Sequence, residues 1–314
     1  MKRVLMGSQS GFAGLLLTSL FILAGCGNPD ASGDDGRSTV VATTTMIEDL
    51  ANVIGGEEVN VIGIMRTGED PHVYEVKPKH ATAIKEADLV LYNGLHLEAT
   101  LDTIVKEQAS GVVVALAEQD GIDPIIGKEG LEVAADPHCW MDISLYKLYA
   151  TRARDALVEV APEHADLFES RTASYLNELD ELEAWVVEQF NTVPVQQRVI
   201  VTGHDAFAYF GNAYGIEVHG LIGISTEQEP KPQDIEALKQ LIREKGIKAI
   251  FPESSLGGSL KALIEKVAKD TGASVGEELH SDSLGEPGTD AASYIGMIRH
   301  NTSTMVEALK GAGE

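Results

Sequence analysis

The chain has 314 residues and carries 49 acidic against 24 basic side chains, a formal net charge of −25. A chain this acidic lacks the basic footprint of nucleic-acid-binding proteins, so that function class is excluded. Hydrophobic residues make up 44% of the sequence, as in globular proteins, and the length is enough for two ordinary domains. The negative charge suits a protein that attracts cations, although a solvated surface explains it equally well.

The N-terminus has the features of an export signal. A basic start is followed by the apolar stretch 11–24, which is shorter than the roughly 20 residues that a membrane span requires. The stretch leads into LAGC at 23–26, which resembles the lipobox of bacterial lipoproteins. Residues 1–25 are therefore predicted to be a signal peptide, and Cys26 the lipidated first residue of the mature protein. The alternative is an ordinary small-residue cleavage site followed by a chance cysteine.

Residues 26–38 contain no periodic apolar pattern and are rich in Gly, Ser and Asp. Such a segment cannot bury enough apolar surface to fold, so it is predicted to be a flexible tether. The lipid and the tether together would hold a soluble domain at the outer face of the cytoplasmic membrane.

Residues 39–160 are predicted to form an N-terminal lobe, in which short apolar runs alternate with helical segments. The predicted strands are 39–44, 59–65, 89–92 and 112–116. The predicted helices are 46–54, 78–86 and 98–108. This alternation is typical of a mostly parallel sheet with helices on both faces.

The segment 161–194 interrupts the alternation. Between 162 and 190 there is no strand pattern, and large apolar side chains recur at steps of mostly three and four. Pro162 fits the first turn of a helix, and a helix of this length spans about 42 Å, more than one lobe needs. The segment is therefore predicted to be a linking helix between two lobes. Two separate helices with an unrecognised break are the alternative.

Residues 195–314 repeat the first rhythm and are predicted to form a C-terminal lobe. The predicted strands are 198–202, 216–222, 249–251 and 273–275. The predicted helices are 206–214, 232–244, 259–270 and 291–309. The expected fold class is α/β, with two lobes that each contain a mostly parallel sheet flanked by helices, joined by one long spine helix.

Three histidines lie near the carboxyl ends of predicted strands. The tripeptide Asp-Pro-His occurs twice, ending at His72 and at His138, and His204 comes directly after the strand 198–202. Ligands of open α/β sheets bind at the carboxyl ends of the strands. Three neutral imidazoles that converge there would suit Zn, Mn, Fe or Cu. A carboxylate would complete the set, and the best candidate is Asp282, just after the last predicted strand.

Each of these residues also has a simpler explanation. A single loop histidine is usually a polar surface residue, and only the repeated context favours a metal site. The neighbouring acids Asp70, Asp136 and Asp205 are either acceptors that fix imidazole tautomers or loop-capping residues. Cys139, the one thiol besides Cys26, is either a soft ligand or a small packed residue; packing is favoured because it and the adjacent histidine point in opposite directions on an extended segment.

Taken together, the motifs resemble the metal-binding solute-binding lipoproteins of ABC importers, the TroA/PsaA/ZnuA-like group. The resemblance covers nearly the whole mature chain and rests on DPH at 70–72, NGLHLE at 93–98, DPH with Trp140 at 136–140, HDAF with Tyr209 at 204–209, PESS at 252–255, ELHSD at 278–282, and YIGM with HN at 294–301. It implies a metal-binding cleft between two α/β lobes bridged by a single helix, and four ligands: His72, His138, His204 and Asp282. The other six histidines are expected to be surface or packing residues: His80, His96, His164, His219, His280 and His300.

The expected cargo is Mn²⁺ or Zn²⁺, with a slight preference for manganese. Manganese-specific members of the group tend to carry Glu in place of His204. Zinc-specific members often have a His-rich acidic loop between the first two ligands, whereas residues 118–135 contain no His. Three imidazoles and one carboxylate suit zinc by their softness. The overall resemblance is to members that accept both ions and serve manganese uptake.

Two other function classes compete with transport. A catalytic zinc enzyme keeps an open coordination position, whereas four protein ligands would close the site. A surface adhesin or structural lipoprotein is the second, and that role is compatible with transport. The expected protein is therefore a monomeric, non-enzymatic binding protein, lipid-anchored on the extracytoplasmic side of the cell membrane, whose partners are the permease subunits of an ABC metal importer.

Overall fold

The structure, a computed structural model, describes residues 36–98, 100–126 and 135–311. The predicted signal peptide, Cys26 and most of the predicted tether therefore lie outside the described residues. Within the described ranges, no helix combines the length and the apolar character that crossing a bilayer requires.

Two four-stranded sheets, each entirely parallel, form the framework of the described chain. The strands are β1 Ser38–Ala42, β2 Val59–Gly63, β3 Leu89–Tyr92, β4 Val112–Ala115, β5 Val199–Thr202, β6 Glu217–Gly220, β7 Ala249–Phe251 and β8 Ser274–Val275. The first sheet has the order β2-β1-β3-β4 and the second the order β6-β5-β7-β8. Every predicted strand is present, with small shifts at its ends.

The connections between strands are mostly helical, as parallel sheets require. The α-helices are α1 Thr45–Gly55, α2 Pro78–Glu86, α3 Thr100–Gln108, α4 Ile143–Val160, α5 Ala165–Asn191, α6 Ala208–Tyr214, α7 Pro232–Lys245, α8 Gly258–Thr271 and α9 Tyr294–Gly311. Helix α7 begins with a proline and ends at Gly246, whose φ of 64° is the left-handed conformation that glycine accepts at a helix C-terminus. Below, β1–β4 with α1–α4 are called the N-terminal lobe, and β5–β8 with α6–α8 the C-terminal lobe.

The long helix α5 joins the two lobes. Its 27 residues span about 40 Å. Its buried side chains recur at steps of three and four and form one continuous stripe: Phe168, Thr172, Tyr175, Leu179, Leu182, Val186 and Phe190. The helix packs against α1 and α4 on the N-terminal side and against α6 on the C-terminal side, and α9 covers it as well. One apolar core consequently runs through both lobes around α5, while two smaller cores lie on the outer faces of the sheets.

Helix α4 has no counterpart among the sequence predictions. Its buried face is made of alanine and tyrosine more than of large aliphatic residues: Ile143, Tyr146, Tyr149, Ala150, Ala153, Ala156 and Leu157. Alanine favours helix formation and permits close packing, but it gives a weak hydrophobic periodicity in the sequence. The missed element is therefore one whose packing depends on small residues beside α5.

The loops that matter for function leave the carboxyl ends of the strands. His72 follows β2, His138 follows β4, His204 follows β5 and Asp282 follows β8. In parallel sheets these ends all lie on one edge, and it is there that ligands bind. The fold therefore directs two of the predicted residues from each lobe towards a common region.

Candidate metal centre

Four side chains from four separate loops converge in the described structure: His72, His138, His204 and Asp282. Each offers one nitrogen or oxygen atom, and these four atoms all lie within 4.8 Å of one another. All four residues are buried, with at most 4% of their surface exposed. The structure therefore brings together the residues that the sequence predicted as ligands.

The spacing of the four atoms matches a small coordination site. His138 Nε2 lies 3.3 Å from His72 Nε2, 3.4 Å from His204 Nε2 and 3.4 Å from an Asp282 carboxylate oxygen. The other Asp282 oxygen is 3.2 Å from His204 Nε2. Donors held 2.0–2.1 Å from a tetrahedral ion are separated by about 3.3–3.4 Å. The separations from His138 Nε2, and the one between Asp282 and His204, are therefore those expected of donors that share one small ion.

His138 is held in place by the aspartate of its own Asp-Pro-His tripeptide. One oxygen of Asp136 accepts the backbone N–H of His138 at 2.9 Å and also lies 2.7 Å from the imidazole Nδ1. A carboxylate at Nδ1 fixes the ring orientation and leaves Nε2 facing the centre of the site. Burial opposes protonation of His138, but Asp136 and Asp282 outweigh it and raise the pKa of the imidazole to about 9.

His204 has the same type of support from a residue distant in the sequence. Glu253, immediately after β7 and fully buried, accepts the His204 backbone N–H at 2.9 Å through one oxygen. Its other oxygen lies 2.7 Å from His204 Nδ1. Burial again opposes protonation, but Glu253 and Asp282 raise the pKa of His204 well above its usual value. The acid in contact with this imidazole is therefore Glu253, and the neighbouring Asp205, which the sequence offered as a candidate, instead contacts the next loop through its backbone, where its N–H donates to Gly223 O.

The close approach of His204 and Glu253 depends on the glycine between β5 and the ligand. A Cβ atom on Gly203 would lie 2.2 Å from a methyl carbon of Leu256 and 3.1 Å from a Glu253 carboxylate oxygen. A larger residue would force the Leu256 side chain to shift and would crowd the Glu253 carboxylate. The Gly-His pair is therefore a packing requirement of the site as well as a sequence motif.

His72 is supported differently. One oxygen of Asp70 accepts the His72 backbone N–H at 2.9 Å, and its other oxygen accepts the Thr226 hydroxyl, 2.6 Å away, from the opposite lobe. Among the described residues, no carboxylate lies within ion-pair distance of the His72 ring. Burial, with the charges of His138 and His204 adding to it, lowers the pKa of His72 to about 3, although Asp282 opposes the shift. Burial and then repulsion from Asp282 raise the pKa of Asp70 to about 6.

Asp282 carries the negative charge at the centre of the site. Burial favours its neutral form, but His204 and His138 outweigh that effect and hold the pKa of the carboxyl well below its usual range. In the metal-free protein, Asp282 is therefore an anionic carboxylate between the protonated imidazoles of His138 and His204. His72, beside them, is neutral. A divalent cation would take the place of the two protons.

The segment that carries Asp282 follows the C-terminal sheet, yet it is fastened to the N-terminal lobe. Trp140 Nε1 donates to the backbone oxygen of Ser281 at 3.0 Å, and Leu284 N donates to the Thr45 hydroxyl at 2.9 Å. Ser283 adds a third contact, because its hydroxyl accepts the backbone N–H of Gly68 at 2.8 Å. Residues 281–284 therefore fix Asp282 with respect to both sheets.

The remaining candidates do not enter the cluster. Cys139 is fully buried, and burial raises the pKa of its thiol to about 11, so it is a packed residue with little thiolate character. His80 is buried against Tyr74, 2.9 Å from its hydroxyl, while the side chain of His96 is 90% exposed. His280 packs against His300, at a ring-centroid distance of 5.1 Å.

Comparison with known proteins identifies a matching family and similar proteins. The family model described as zinc-uptake complex component A, periplasmic (ZnuA), matches residues 40–308. The manganese-binding lipoprotein MntA of Bacillus subtilis is 38% identical over 312 residues, which is 96% of this chain and 100% of that protein. The zinc-binding protein TroA of Treponema pallidum is 37% identical over 286 residues, 90% of this chain and 92% of that protein.

The fold comparison agrees with the sequence comparison. The solved structure of the periplasmic zinc-binding protein TroA from Treponema pallidum matches with a TM-score of 0.82 at 36% identity, covering 87% of this chain and 99% of that one. The predicted fold class, two α/β lobes joined by a long helix, is confirmed. The chain belongs to the ZnuA family of periplasmic metal-uptake components, the TroA-like group that its motifs resemble.

Proposed function

We propose that this protein captures Mn²⁺ or Zn²⁺ outside the cytoplasm, in the cleft between its lobes, and delivers the ion to an ABC importer. The ligands in this proposal are His72, His138, His204 and Asp282. The observation that carries it is the convergence of these four side chains, which the fold buries together and whose donor atoms lie within 4.8 Å of one another. Metal ions are cargo here, because relatives of this chain bear the names of substrate-binding lipoproteins of metal ABC transporters.

Both ions fit the donor set, and zinc is expected to bind more tightly in solution. Three imidazoles and one carboxylate are donors that zinc prefers, and zinc lies above manganese in the general order of affinity. Manganese would require additional oxygen donors, which Asp282 supplies only if both its oxygens turn to the ion. The relatives divide in the same way, one named for manganese and another for zinc. The slight preference for manganese uptake stays a prediction.

The same comparison supports the proposed location and partners. Relatives named as manganese-binding or metal ABC transporter substrate-binding lipoproteins support an anchored protein on the extracytoplasmic side, with Cys26 as the lipidated residue. Delivery then requires permease subunits that accept the ion as the lobes separate. The lobe boundaries at 160 and 194 and the monomeric state also remain proposals.

A catalytic function receives less support. The closed set of four protein donors leaves no position for the activated water of a zinc hydrolase. Residues 272–276 read GASVG and match the letters of the hydrolase motif G-x-S-x-G. Ser274, however, lies in the exposed edge strand β8, after a helix, and not at a strand-to-helix turn. An adhesin function has no feature of its own in the described chain, and it is compatible with transport.

The ligand set is tested by exchanging one donor. His204→Glu replaces an imidazole with a hard, charged oxygen donor that permits a higher coordination number, which favours manganese over zinc. We expect the ratio of zinc to manganese affinity to fall by at least tenfold, measured by direct competition of the two ions for purified protein. His96→Ala, which changes an exposed histidine outside the cluster, is the matched control and should bind as the wild type does. A wild-type ratio in His204→Glu would remove His204 from the ligand set, and wild-type protein without affinity for either ion would overturn the proposal.

The anchor is tested in cells. Cys26→Ser removes the only residue that can carry the lipid in the predicted lipobox, and it lies outside the folded core. We expect the variant to move from the membrane fraction to the soluble extracytoplasmic fraction while retaining metal binding. Recovery in membranes at the wild-type level would show that another feature anchors the chain.

A further inference from the structure

One wall of the cleft is a loop of the C-terminal lobe, residues 223–231, between β6 and α7; it is called the cleft loop here. Its base lies beside a ligand, because the N–H of Asp205, next to His204, donates to Gly223 O at 3.2 Å. Farther along, the loop folds on itself: Gln228 N donates to Ser225 O at 3.2 Å, and Glu227 N to the Ser225 hydroxyl at 3.3 Å. The loop is therefore a small unit attached at its base to the C-terminal lobe.

A single side chain of the cleft loop reaches the other lobe. The Thr226 hydroxyl donates to Asp70 Oδ2 at 2.6 Å. In the described part of the chain, the other hydrogen bonds of residues 223–231 stay within the C-terminal lobe. Thr226 is only half-buried, and residues 227–229 beyond it are exposed. Thr226 therefore makes the hydrogen bond that joins this loop to the N-terminal lobe in the described structure.

The acceptor of that bond also holds a ligand. While Asp70 Oδ2 accepts from Thr226, Asp70 Oδ1 accepts the backbone N–H of His72 at 2.9 Å. The Asp70 carboxylate thus both holds the cleft loop and fixes the His72 segment. A hydrogen bond to a charged acceptor is stronger than one between neutral groups, and its geometry here is short and partly shielded from water.

The opposite wall of the cleft is held by more hydrogen bonds to the N-terminal lobe. Residues 281–284, which carry Asp282, make three hydrogen bonds to the N-terminal lobe, through Trp140, Thr45 and Gly68. Opening the cleft at that wall would break all three bonds and move a ligand. Opening it at the cleft loop costs one bond and leaves Asp282 where it is. By the number of hydrogen bonds to the N-terminal lobe, the cleft loop is therefore the less firmly held of the two walls.

We propose that Thr226 is a positioning residue that retains the cargo: its hydrogen bond to Asp70 holds the cleft loop over His72, and breaking that bond limits the rate at which the metal ion leaves. The inference rests on the proposed function, because it concerns release of the same ion. The bond acts on the closed state alone. Its loss should therefore speed release and leave the rate of capture by the open protein unchanged.

The test measures release directly. Wild type and Thr226→Val are loaded with Zn²⁺ and mixed rapidly with an excess of a chromogenic chelator, and the release rate is read from the dye. Valine keeps the shape of threonine and removes the hydroxyl. We expect release to be about tenfold to a hundredfold faster, the range that corresponds to loss of one hydrogen bond to a charged acceptor. Thr226→Ala serves as a second variant that lacks the hydroxyl.

Two control variants separate the hydrogen bond from a general loosening of the loop. Thr226→Ser keeps the hydroxyl and should release Zn²⁺ within twofold of the wild-type rate. Ser225→Ala removes the adjacent hydroxyl, which accepts the Glu227 N–H within the loop, and should also stay within twofold. In an Asp70→Asn background, Thr226→Val should accelerate release by less than it does in the wild type, because the two residues act through one contact.

The outcomes are distinct. Wild-type release by both variants that lack the hydroxyl would overturn the role of Thr226, as would equal acceleration by Thr226→Ser or by Ser225→Ala. Additive effects of the Asp70 and Thr226 substitutions on the release rate would also overturn the role of Thr226. These results leave the proposed function standing, whereas a wild-type protein that takes up no Zn²⁺ before the chelator is added overturns the function itself.

Discussion

The two Asp-Pro-His tripeptides have the same sequence and the same local turn, but they do not have the same chemistry. In both, the aspartate accepts the backbone N–H of the histidine two residues later at 2.9 Å. This is the turn that aspartate commonly forms with its own backbone, and the proline between the two residues restricts it further. The local sequence therefore accounts for the backbone of each ligand loop.

The difference lies in the other contact that each aspartate carboxylate makes. Asp136 also lies against the ring of its histidine, whereas the second oxygen of Asp70 accepts from Thr226 in the opposite lobe. The pKa of His138 is accordingly raised to about 9, while that of His72 is lowered to about 3. One tripeptide thus supplies an imidazole that is charged in the metal-free protein, and the other supplies a neutral one. Tertiary contacts, not the motif, decide which.

Truncation of the two histidines should separate these roles most strongly. His138→Ala leaves the buried Asp136 and Asp282 without their shared protonated partner, which should cost the metal-free protein about 3–5 kcal/mol. His72→Ala removes a neutral ring and should cost about 1 kcal/mol, as a typical substitution does. Urea unfolding of the metal-free proteins gives both values. Both variants should bind Zn²⁺ at least a hundredfold more weakly, because each lacks a donor.

Equal losses of unfolding free energy in the two variants would contradict the assigned charges. In that case His138 would be neutral in the metal-free site, as His72 is. A variant of either position that bound Zn²⁺ with wild-type affinity would contradict the ligand assignment itself.

The second prediction concerns pH. In the metal-free protein the pKa values of His138 and His204 are raised, so both imidazoles are protonated at pH 7 and must lose their protons when the ion binds. Zinc affinity should therefore keep rising above the ordinary imidazole range near 6.5 and up to about pH 9, by up to a hundredfold per pH unit while both protons are displaced. Titration calorimetry in buffers of different ionisation enthalpy counts the protons. An affinity that levels off near pH 7 would show that the imidazoles are already neutral.

Stability of the metal-free protein should change with pH in the opposite direction. A histidine whose pKa is higher in the folded state contributes stability that is complete below the unfolded value, about 6.5, and is lost as the pH rises through the folded value. For His138 this loss falls between about pH 6.5 and pH 9. The free energy of unfolding without metal should therefore decrease over the range in which metal affinity increases.

The smallest predicted effect comes from the aspartates. Asp136→Asn removes the charge at the His138 ring and should weaken zinc binding by about 10–100-fold, as loss of an outer partner of a metal ligand does. Asp70→Asn retains an acceptor for the His72 backbone N–H and should weaken binding by less than about tenfold. Competition with a chelator of known affinity measures both. Losses of equal size would mean that the two tripeptides support their ligands in the same way.

The sequence predicted much of this site because the decisive signals were local. His72 and His138 stand in a repeated tripeptide, and His204 and Asp282 directly follow predicted strands. Strand ends converge in any parallel α/β sheet, so position along the chain was informative about position in space. The assignment of these four residues as metal ligands rests also on the resemblance to a family, and it stays a proposal.

The parts that were missed depend on distant contacts. Glu253 supports His204 only because the order of the second sheet places β7 beside β5, which no local pattern reveals. The contact of Thr226 with Asp70 joins residues 156 positions apart in different lobes. Helix α4 was missed for a different reason: its buried face relies on alanine and tyrosine, which carry little of the periodic signal.

The repeated strand order gives the molecule an approximate internal symmetry of topology. When β1–β4 are matched in sequence order to β5–β8, the two sheets have the same strand order. The loops after β4 and β8 each provide one donor, His138 and Asp282, and the loops after β2 and β6 meet each other through Asp70 and Thr226. The pairing of donors breaks in two places. His72 follows β2 with no counterpart in the set after β6, and His204 follows β5 where the loop after β1 has threonines, among them Thr43, whose hydroxyl donates to Glu98 at 2.8 Å. With the proposed ligands, exchange of the one side chain at position 204 would change the donor chemistry and leave the repeated strand order as it is.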